Sequence, residues 1–298
     1  MKKAKVYFST DISAAGLVRI FNAVNKDLTG KVAVKTHSGE PGGTNYLKPE
    51  LMKELVQKVQ GTIVECNTAY RGKRFETQDH LQTLRDHGFT EIASVDVMDS
   101  EGDLALPVEN GKHLQENYVG ANLANYDSIL MLSHFKGHQM GGFGGALKNM
   151  SIGIASRNGK AHLHSAGATK DPDESWQLET KQDDFLEAMA EGCQAVMKYI
   201  ADKGGEIVYL NVMNNLSVDC DCNASPEKPC MKDIGVLASF DPVALDRACL
   251  DLIYQSKDEG RDHFLERVQS RNGEHIIDYA VEMGIGTKEY ELIEIESL

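Results

Sequence analysis

Short apolar runs alternate along the chain with polar turns and with segments whose apolar residues recur every three or four positions. The runs at 32–34, 62–65 and 128–133 have the length of buried strands, whereas 14–24 and 182–201 show helical spacing. Strands that alternate with helices form a mostly parallel sheet with helices on its faces. We therefore predict an α/β fold with Rossmann-like lobes and an active cleft at the carboxyl ends of the strands.

The chain of 298 residues is long enough for one large α/β domain or for two lobes. A hinge near residues 125–128 would separate an N-terminal lobe, 1–127, from a C-terminal lobe, 128–298, which carries the glycine- and histidine-rich loop and the cysteine loop. The alternative is that both lobes form one integrated domain. Residues 166–176 are polar and irregular, as expected of a surface loop or a lid.

The formal net charge of −14 argues against nucleic acid and anionic membrane surfaces as partners, because phosphate binding needs a basic face. A small anionic molecule is compatible with this charge if a few cations gather in one cleft. Lys136, Lys148 and Lys160 are close enough in sequence to do so.

The amino terminus lacks the apolar stretch of a signal peptide, and no apolar run approaches the length of about 20 residues that spans a membrane. We therefore expect a cytoplasmic protein. In that compartment the six cysteines would be thiols or metal ligands rather than structural disulfides.

The stretch 133–165 concentrates the residue types that carry chemistry. It holds four histidines, a lysine and a run of glycines, which are His134, His138, His162, His164, Lys148 and 141–145. Histidines transfer protons near neutral pH or bind metals, and adjacent glycines let backbone N–H groups approach an anion. We expect His138, Lys148 and His164 to converge on one pocket, with Gly142, Gly144 and Gly145 as cofactor-binding backbone.

His162 and His164 alternate, so in an extended segment both would face the same side. The lysine at 148 follows a leucine and precedes an asparagine, which does not fit a P-loop, and no dinucleotide fingerprint follows the first strand. A nucleotide-hydrolysing or simple NAD-dependent enzyme is therefore disfavoured.

A second group of candidate residues lies in a cysteine loop. Cys220 and Cys222 are separated by one residue, and Cys230 follows eight residues later. Such thiols can bind zinc or occupy three corners of an iron–sulfur cluster. The alternative is a surface loop whose thiols have no role.

Polar residues also follow the predicted second and third strands. His37, Glu40 and Asn45 come after the second strand, and Tyr70 and Arg71 after the third. In a parallel sheet these loops meet at the edge that holds the His138 loop. There Arg71 can clamp a carboxylate, and Tyr70 can transfer a proton.

Four segments together make the chain resemble the family catalogued as "domain of unknown function 362". They are HSGEPG at 37–42, LSHFKGHQMGGFGGALKNMSIGIAS at 132–156, DCDC at 219–222 and DPVALD at 241–246. That family is often joined to a ferredoxin module, which implies a possible electron-transfer partner. This sequence carries no ferredoxin-type Cys-x-x-Cys repeats.

The spacing of His138, the Gly-Phe pair at 142–143, Lys148 and His164 is similar to that of the nickel-pincer lactate racemase family. The resemblance implies that His138 is an acid/base, that Lys148 anchors a pyridinium cofactor covalently and that His164 binds nickel. Tyr70 stands where that family has a second acid/base histidine, and Leu147 stands where it has an arginine.

These patterns leave three functional hypotheses. The first is an enzyme that uses acid/base or hydride chemistry on a small anionic metabolite, with a racemase-like site. The second is an iron–sulfur or zinc-binding redox partner centred on the cysteine loop. The third is a ligand-sensing module without catalysis. Neither the substrate nor the oligomeric state follows from the sequence.

Overall fold

A computed structural model of the protein describes residues 3–25 and 27–296. The strands are β1 (Ala4–Ser9), β2 (Val32–Lys35), β3 (Thr62–Glu65), β4 (Val95–Val97), β5 (Asp103–Pro107), β6 (Glu116–Gly120), β7 (Ser128–His134), β8 (Lys136–His138), β9 (Gly142–Gly144), β10 (Ile207–Met213), β11 (Gly235–Ser239) and β12 (Tyr290–Glu294). The helices are α1 (Ala14–Val24), α2 (Pro49–Lys58), α3 (Thr77–Asp86), α4 (Ala146–Ser151), α5 (Arg157–His164), α6 (Pro172–Ser175), α7 (Gln182–Asp202), α8 (Pro242–Gln255), α9 (Arg261–Ser270) and α10 (His275–Glu282). Short 3₁₀ helices span Phe89–Glu91 and Ala121–Asn125.

An eight-stranded sheet forms the centre of the molecule, in the order β12-β1-β11-β10-β7-β2-β3-β4. Strand β11 is antiparallel to both of its neighbours, and the other adjacent pairs are parallel. The hairpins β5–β6 and β8–β9 form two small separate sheets. The prediction of an α/β fold with a mostly parallel sheet flanked by helices is confirmed.

Helices cover both faces of the central sheet, so the strands in its middle are apolar along their whole length. In β7, Leu130 and Leu132 join a core with α1, α2 and α3. Ile129 and Met131 point to the opposite face and join a core with α4, α5 and the helices from α7 onward. The strand is buried at every position, which explains why its sequence shows no polar alternation.

Two helix starts show how local sequence sets the boundaries. The Ser13 hydroxyl accepts a hydrogen bond from the Gly16 backbone N–H at 3.0 Å and caps α1. The Asp241 carboxylate accepts from the Val243 and Ala244 backbone N–H groups at 3.0 and 2.9 Å, and Pro242 occupies the first position of α8. These residue types are favoured at helix starts because they satisfy backbone donors that have no partner within the helix.

The carboxyl ends of β2, β3, β7 and β10 lie side by side, so the loops that follow these strands share one edge of the sheet. Strand β7, from the predicted C-terminal lobe, pairs with β2, from the predicted N-terminal lobe. The division at residue 128 therefore crosses a continuous sheet and stays a prediction. Within the described residues, no helix is both long and apolar enough to cross a membrane.

Candidate functional site

A cavity of about 330 Å³ opens at this edge of the sheet. Its walls come from the ends of β2, β3 and β7, from α4 and α5, and from the cysteine loop. The cations that line it are Lys35, Lys136, Lys148, Lys160 and Arg74. A protein with a net charge of −14 thus places five basic side chains around one cavity.

Two of these cations have carboxylate partners. The Lys136 ammonium lies 2.9 Å from Asp221, and Asp221 raises the pKa of Lys136 although burial acts in the opposite direction. The Arg74 guanidinium donates to Glu40 at 3.0 Å and lies 3.5 Å from Glu65. These two basic groups are therefore neutralised by the protein itself.

The other three lysines have no such partner. Among the described residues, no carboxylate lies within ion-pair distance of Lys35, Lys148 or Lys160. The Lys35 ammonium is 2% exposed and donates to the Asn149 side-chain oxygen at 3.0 Å. Burial lowers the pKa of Lys35 to about 8 and also lowers the pKa of Lys160. The cavity therefore carries a local excess of positive charge, which costs free energy unless an anion binds there.

His138 faces the cavity from β8, and its tautomer follows from its hydrogen bonds. Its Nδ1 accepts from the backbone N–H groups of Met140 and Gly141 at 3.2 and 2.9 Å. A nitrogen that accepts carries no proton, so the ring proton lies on Nε2 in the neutral form. Burial and the Lys148 charge lower the pKa of His138 to about 4, so the ring is neutral near pH 7.

His164 lies at the end of α5 and lines the same cavity. Its ring stacks on Phe185, with centroids 4.9 Å apart, and lies 5.0 Å from the Trp176 ring. The buried Nδ1 of His164 has no hydrogen-bond partner among the described residues. Burial and the neighbouring His138 and Lys148 lower the pKa of His164 to about 3. The His164 ring is therefore neutral near pH 7, and its Nδ1 is a buried polar atom whose hydrogen-bonding capacity the described residues leave unused.

The cysteine loop supplies the floor beside His138. The side-chain ligand atoms of His138, Cys220 and Cys222 all lie within 4.8 Å of one another. Cys220 is 1% exposed, and its sulfur also accepts the Cys222 backbone N–H at 3.4 Å. A hydrogen bond from Cys222 holds the pKa of Cys220 well below its usual range and that of Cys222 well above it.

Cys220 and Cys222 can share a proton between their sulfurs, or the two cysteines and His138 can act as metal ligands. A metal ion could bind Nε2 of His138 only if the proton on Nε2 left. Nδ1 would then have to keep accepting from two backbone N–H groups, so it could not carry a proton and donate. Metal-bound histidines normally donate from their other nitrogen. The geometry therefore favours a hydrogen bond from His138 to the sulfurs over a metal bond from His138.

A buried polar network closes the side of the cavity nearest β3. The Tyr70 hydroxyl donates to Glu40 at 2.7 Å and accepts from Arg74 at 2.8 Å. Glu65 accepts from Ser38 and from His80, the latter at 2.7 Å. Burial opposes the ionisation of Glu65, but the His80 hydrogen bond and the Arg74 charge hold its pKa well below its usual range. Burial raises the pKa of Tyr70, so this phenol stays protonated near pH 7 and is a weaker acid than an exposed tyrosine.

The two backbone amides directly after the glycine run bind the protein's own carboxylate, whereas the predicted cofactor-binding role of Gly142, Gly144 and Gly145 stays a prediction. The Ala146 and Leu147 backbone N–H groups at the start of α4 donate to Asp246 at 2.8 and 3.0 Å. Gly144 and Gly145 line the cavity, whereas Gly142 packs against Gly273 with a φ of +78°. A side chain at Gly145 would collide with Asp246, so this glycine serves packing as well as the cavity wall.

The structure distributes the other predicted site residues as follows. His37 and Tyr70 line the cavity, and Arg74 and burial hold the pKa of His37 well below its usual range. Glu40 accepts the hydrogen bond of the Tyr70 hydroxyl. The Asn45 side chain donates to the Glu227 carbonyl oxygen at 3.2 Å, away from the cavity. Cys230 lies outside the His138 group, with its sulfur 3.4 Å from the Leu216 carbonyl oxygen.

Two expectations about side-chain direction are wrong. His162 and His164 belong to the helix α5 rather than to an extended segment, so their side chains diverge, and His162 contacts Tyr118 edge-on. Arg71 is exposed and pairs with Asp173 at 2.6 Å instead of entering the cavity. In both cases the error came from the local conformation, which depends on tertiary packing.

Sequence reasoning missed several residues that line the cavity. They are Lys35, Glu65, Arg74, Asn149 and Trp176. Lys35 and Glu65 each end a buried apolar strand, and a charged residue at that position is a usable signal because strand ends carry functional groups in α/β proteins. Arg74 and Trp176 lie in irregular segments and are brought to the cavity only by tertiary contacts.

Comparison of the sequence with models of known protein families identifies the family of this chain. The model of a domain of unknown function (DUF362) matches residues 32–251. This match confirms the resemblance noted from the four sequence segments, and it includes the cavity-lining residues from Lys35 to Cys222. No curated protein matches the chain.

Two solved structures are distantly similar. The lactate racemase apoprotein from Thermoanaerobacterium thermosaccharolyticum shares 15% identity, with a TM-score of 0.40, over 70% of this chain and 51% of that chain. A protein from Thermotoga maritima shares 11% identity, with a TM-score of 0.39, over 90% of this chain and 58% of that chain. This chain therefore spans only 51% and 58% of the lengths of these two structures.

Proposed function

The chain belongs to the DUF362 family of domains of unknown function, and we propose that it is an enzyme acting on a small anionic metabolite by acid/base chemistry. The observation that carries this proposal is the set of three cavity lysines, Lys35, Lys148 and Lys160, that lack a carboxylate partner among the described residues. Lys35 and Lys160 are buried and Lys148 is half-buried, and a cation removed from water without a counter-charge is costly, so the missing charge is best supplied by the ligand.

The chemistry comes from the neutral groups around these lysines. His138 presents an Nε2–H, and His164 presents an unpartnered Nδ1. A neutral imidazole can accept a proton at its unprotonated nitrogen, and an imidazole N–H can hold a substrate oxygen by a hydrogen bond, so two neutral histidines that line a cavity of about 330 Å³ can serve as a general base and a positioning group. Lys148 would hold the substrate carboxylate, and Tyr70, whose hydroxyl hydrogen is donated to Glu40, would form part of the cavity wall beside it.

The experiment that tests this function follows carbon-bound hydrogen exchange by NMR in D₂O. The purified protein is incubated with lactate, malate and pyruvate, whose C–H bonds next to a carboxyl or carbonyl group exchange under acid/base catalysis. We expect exchange in at least one of them. His138→Gln and His164→Gln should lose it, and His263→Gln, an exposed histidine outside the cavity, should keep it.

Retention of full exchange in both cavity variants would remove His138 and His164 from the mechanism. If none of the three acids exchanges, the same protein is titrated with them by calorimetry. Binding without exchange would favour the ligand-sensing hypothesis over an enzyme, and no binding would contradict an anion site.

The cavity also has residues that fit a covalent pyridinium cofactor of the nickel-pincer type. No hydrogen bond or ion pair joins the Lys148 ammonium to any described residue, so this amine would be the attachment point, and the His164 ring, whose Nδ1 has no hydrogen-bond partner among those residues, would be the metal ligand. When bound, such a group supplies hydride transfer. The mass of the Lys148 peptide from protein purified without oxygen tests this: an added mass supports attachment, and the unmodified mass contradicts it.

A second candidate function is a zinc or iron–sulfur redox partner, and the cluster of Cys220, Cys222 and His138 favours it. The two neighbouring sulfurs could bind a metal even if His138 keeps its ring proton. Cys230 or another group in the cavity would then supply the remaining ligands. Elemental analysis should then show zinc or iron that is lost in Cys220→Ser. Metal-free protein with normal folding would remove this candidate.

A further inference from the structure

Trp176 forms the boundary between the cavity and solvent. Its side chain lines the cavity and is also 43% exposed, so one side of the indole faces inward and the other outward. The indole N–H donates to the carbonyl oxygen of Ala69, which also lines the cavity, at 3.1 Å, and the ring lies 5.0 Å from that of His164. The indole therefore bridges α5 and the loop after β3.

The segment that carries Trp176 has an exposed ion pair among its contacts with the rest of the protein. Helix α6 has a single turn, capped by Asp171. The Arg71 guanidinium pairs with Asp173 through Nη2 at 2.6 Å and Nε at 3.3 Å, and both side chains are more than 60% exposed, at 68% and 63%. Exposed ion pairs contribute little to stability, so this attachment can open without unfolding the core.

We propose that Trp176 is the gate of the cavity and that the Arg71–Asp173 ion pair is its latch. With the latch formed, the indole separates His164 and the unpaired lysines from bulk water. A small anion enters when the segment from Thr169 to Lys181 swings away, and closure strengthens the attraction between the anion and the lysines because water leaves. Arg71 thereby acts on ligand entry from outside the cavity.

The gate can be tested without a ligand because Cys222 lines the cavity and Cys230 lies outside it. The protein is treated with iodoacetamide, and the alkylation rate of each cysteine is followed by peptide mass spectrometry. Both thiols are partly buried, so Cys230 serves as an internal control for general unfolding. The result does not depend on any substrate, and therefore fails or succeeds separately from the proposed function.

For Trp176→Ala we expect Cys222 to react about tenfold faster, because the opening is then permanent. Asp173→Asn weakens the latch, so its effect should be smaller, roughly twofold. Asp202→Asn, which removes an exposed ion pair with Lys198 at the other end of α7, should leave the Cys222 rate unchanged. In all variants the Cys230 rate should stay that of the unmodified protein.

An unchanged Cys222 rate in Trp176→Ala would overturn the gate. A rise in the alkylation rates of both Cys222 and Cys230 in that variant would indicate unfolding. In that case Asp173→Asn is decisive: a faster Cys222 rate with an unchanged Cys230 rate supports the latch. A Cys222 rate equal to that of the unmodified protein contradicts it.

Discussion

The cavity and the middle of α7 both collect titratable side chains, yet they differ in how these are satisfied. On α7, Glu187 accepts from Lys112 and His113, both at 2.6 Å, and from His275 at 3.1 Å. Glu191 accepts from the Leu114 backbone N–H at 2.7 Å and from Tyr279 at 2.9 Å. Every charged group in this α7 cluster has its partner within the protein.

In the cavity some polar groups lack partners among the described residues: Lys35, Lys148 and Lys160 have no carboxylate within ion-pair distance, and one nitrogen of His164 has no hydrogen-bond partner. The difference distinguishes a structural polar cluster from a ligand site more sharply than the residue types do, because both regions contain histidines and lysines. A satisfied cluster should stabilise the fold, whereas an unsatisfied one should destabilise it and bind something.

The largest expected effect is on the α7 side. Glu191 is fully buried and accepts several hydrogen bonds, so Glu191→Ala leaves the backbone donors of 112–114 and the Tyr279 hydroxyl without an acceptor. We expect a loss of about 3 kcal/mol or more in the free energy of unfolding, measured by urea denaturation.

The control is Glu266→Ala, an exposed glutamate in α9, which should change stability by less than about 0.5 kcal/mol. If Glu191→Ala were as stable as that control, the α7 cluster would not be structural.

The next effect has the opposite sign and concerns pH. The pKa of Lys35 is about 8 in the folded protein, against 10.5 ordinarily, so between these values the unfolded chain binds more protons. Stability contributed by this group therefore rises as the pH increases from 8 to 10.5, by on the order of 2 to 3 kcal/mol, and is lost again as the pH falls to 8.

Lys35→Met should remove this rise and should be more stable than the unmodified protein near pH 7, as measured by denaturation across the alkaline range. Lys53→Met, at an exposed position of α2, should keep the rise. Identical pH profiles for both variants would mean that Lys35 is not a destabilising buried charge.

Most of the fold was accessible from the sequence, because strand and helix patterns are local. The predicted buried strand at 128–133, before the glycine run, is confirmed, and so is the predicted long helix at 182–201. His138, Lys148 and His164 line one cavity because His138 ends β8, and Lys148 and His164 lie on the two short helices α4 and α5 that follow.

What the sequence did not reveal depends on distant partners. Nothing near the glycine run indicates that Asp246, about a hundred residues away, fills the amide site at α4. Likewise, Arg71 and Arg74 are three residues apart, yet one is exposed and the other is buried between Glu40 and Glu65. Such choices follow from tertiary contacts rather than from residue type.

The central claim is that the unpaired cavity lysines bind a small anion, and calorimetric titration with malate, inorganic phosphate and choline tests it most directly. We expect an anion to bind and choline, a cation, not to bind. Lys148→Met should lower the affinity for the anion by roughly ten- to a hundredfold, as expected for the loss of a charge-assisted hydrogen bond. Lys198→Met, on the outer face of α7, should leave this affinity unchanged. Equal affinity in Lys148→Met and Lys198→Met, or binding of choline in place of the anions, would contradict the account.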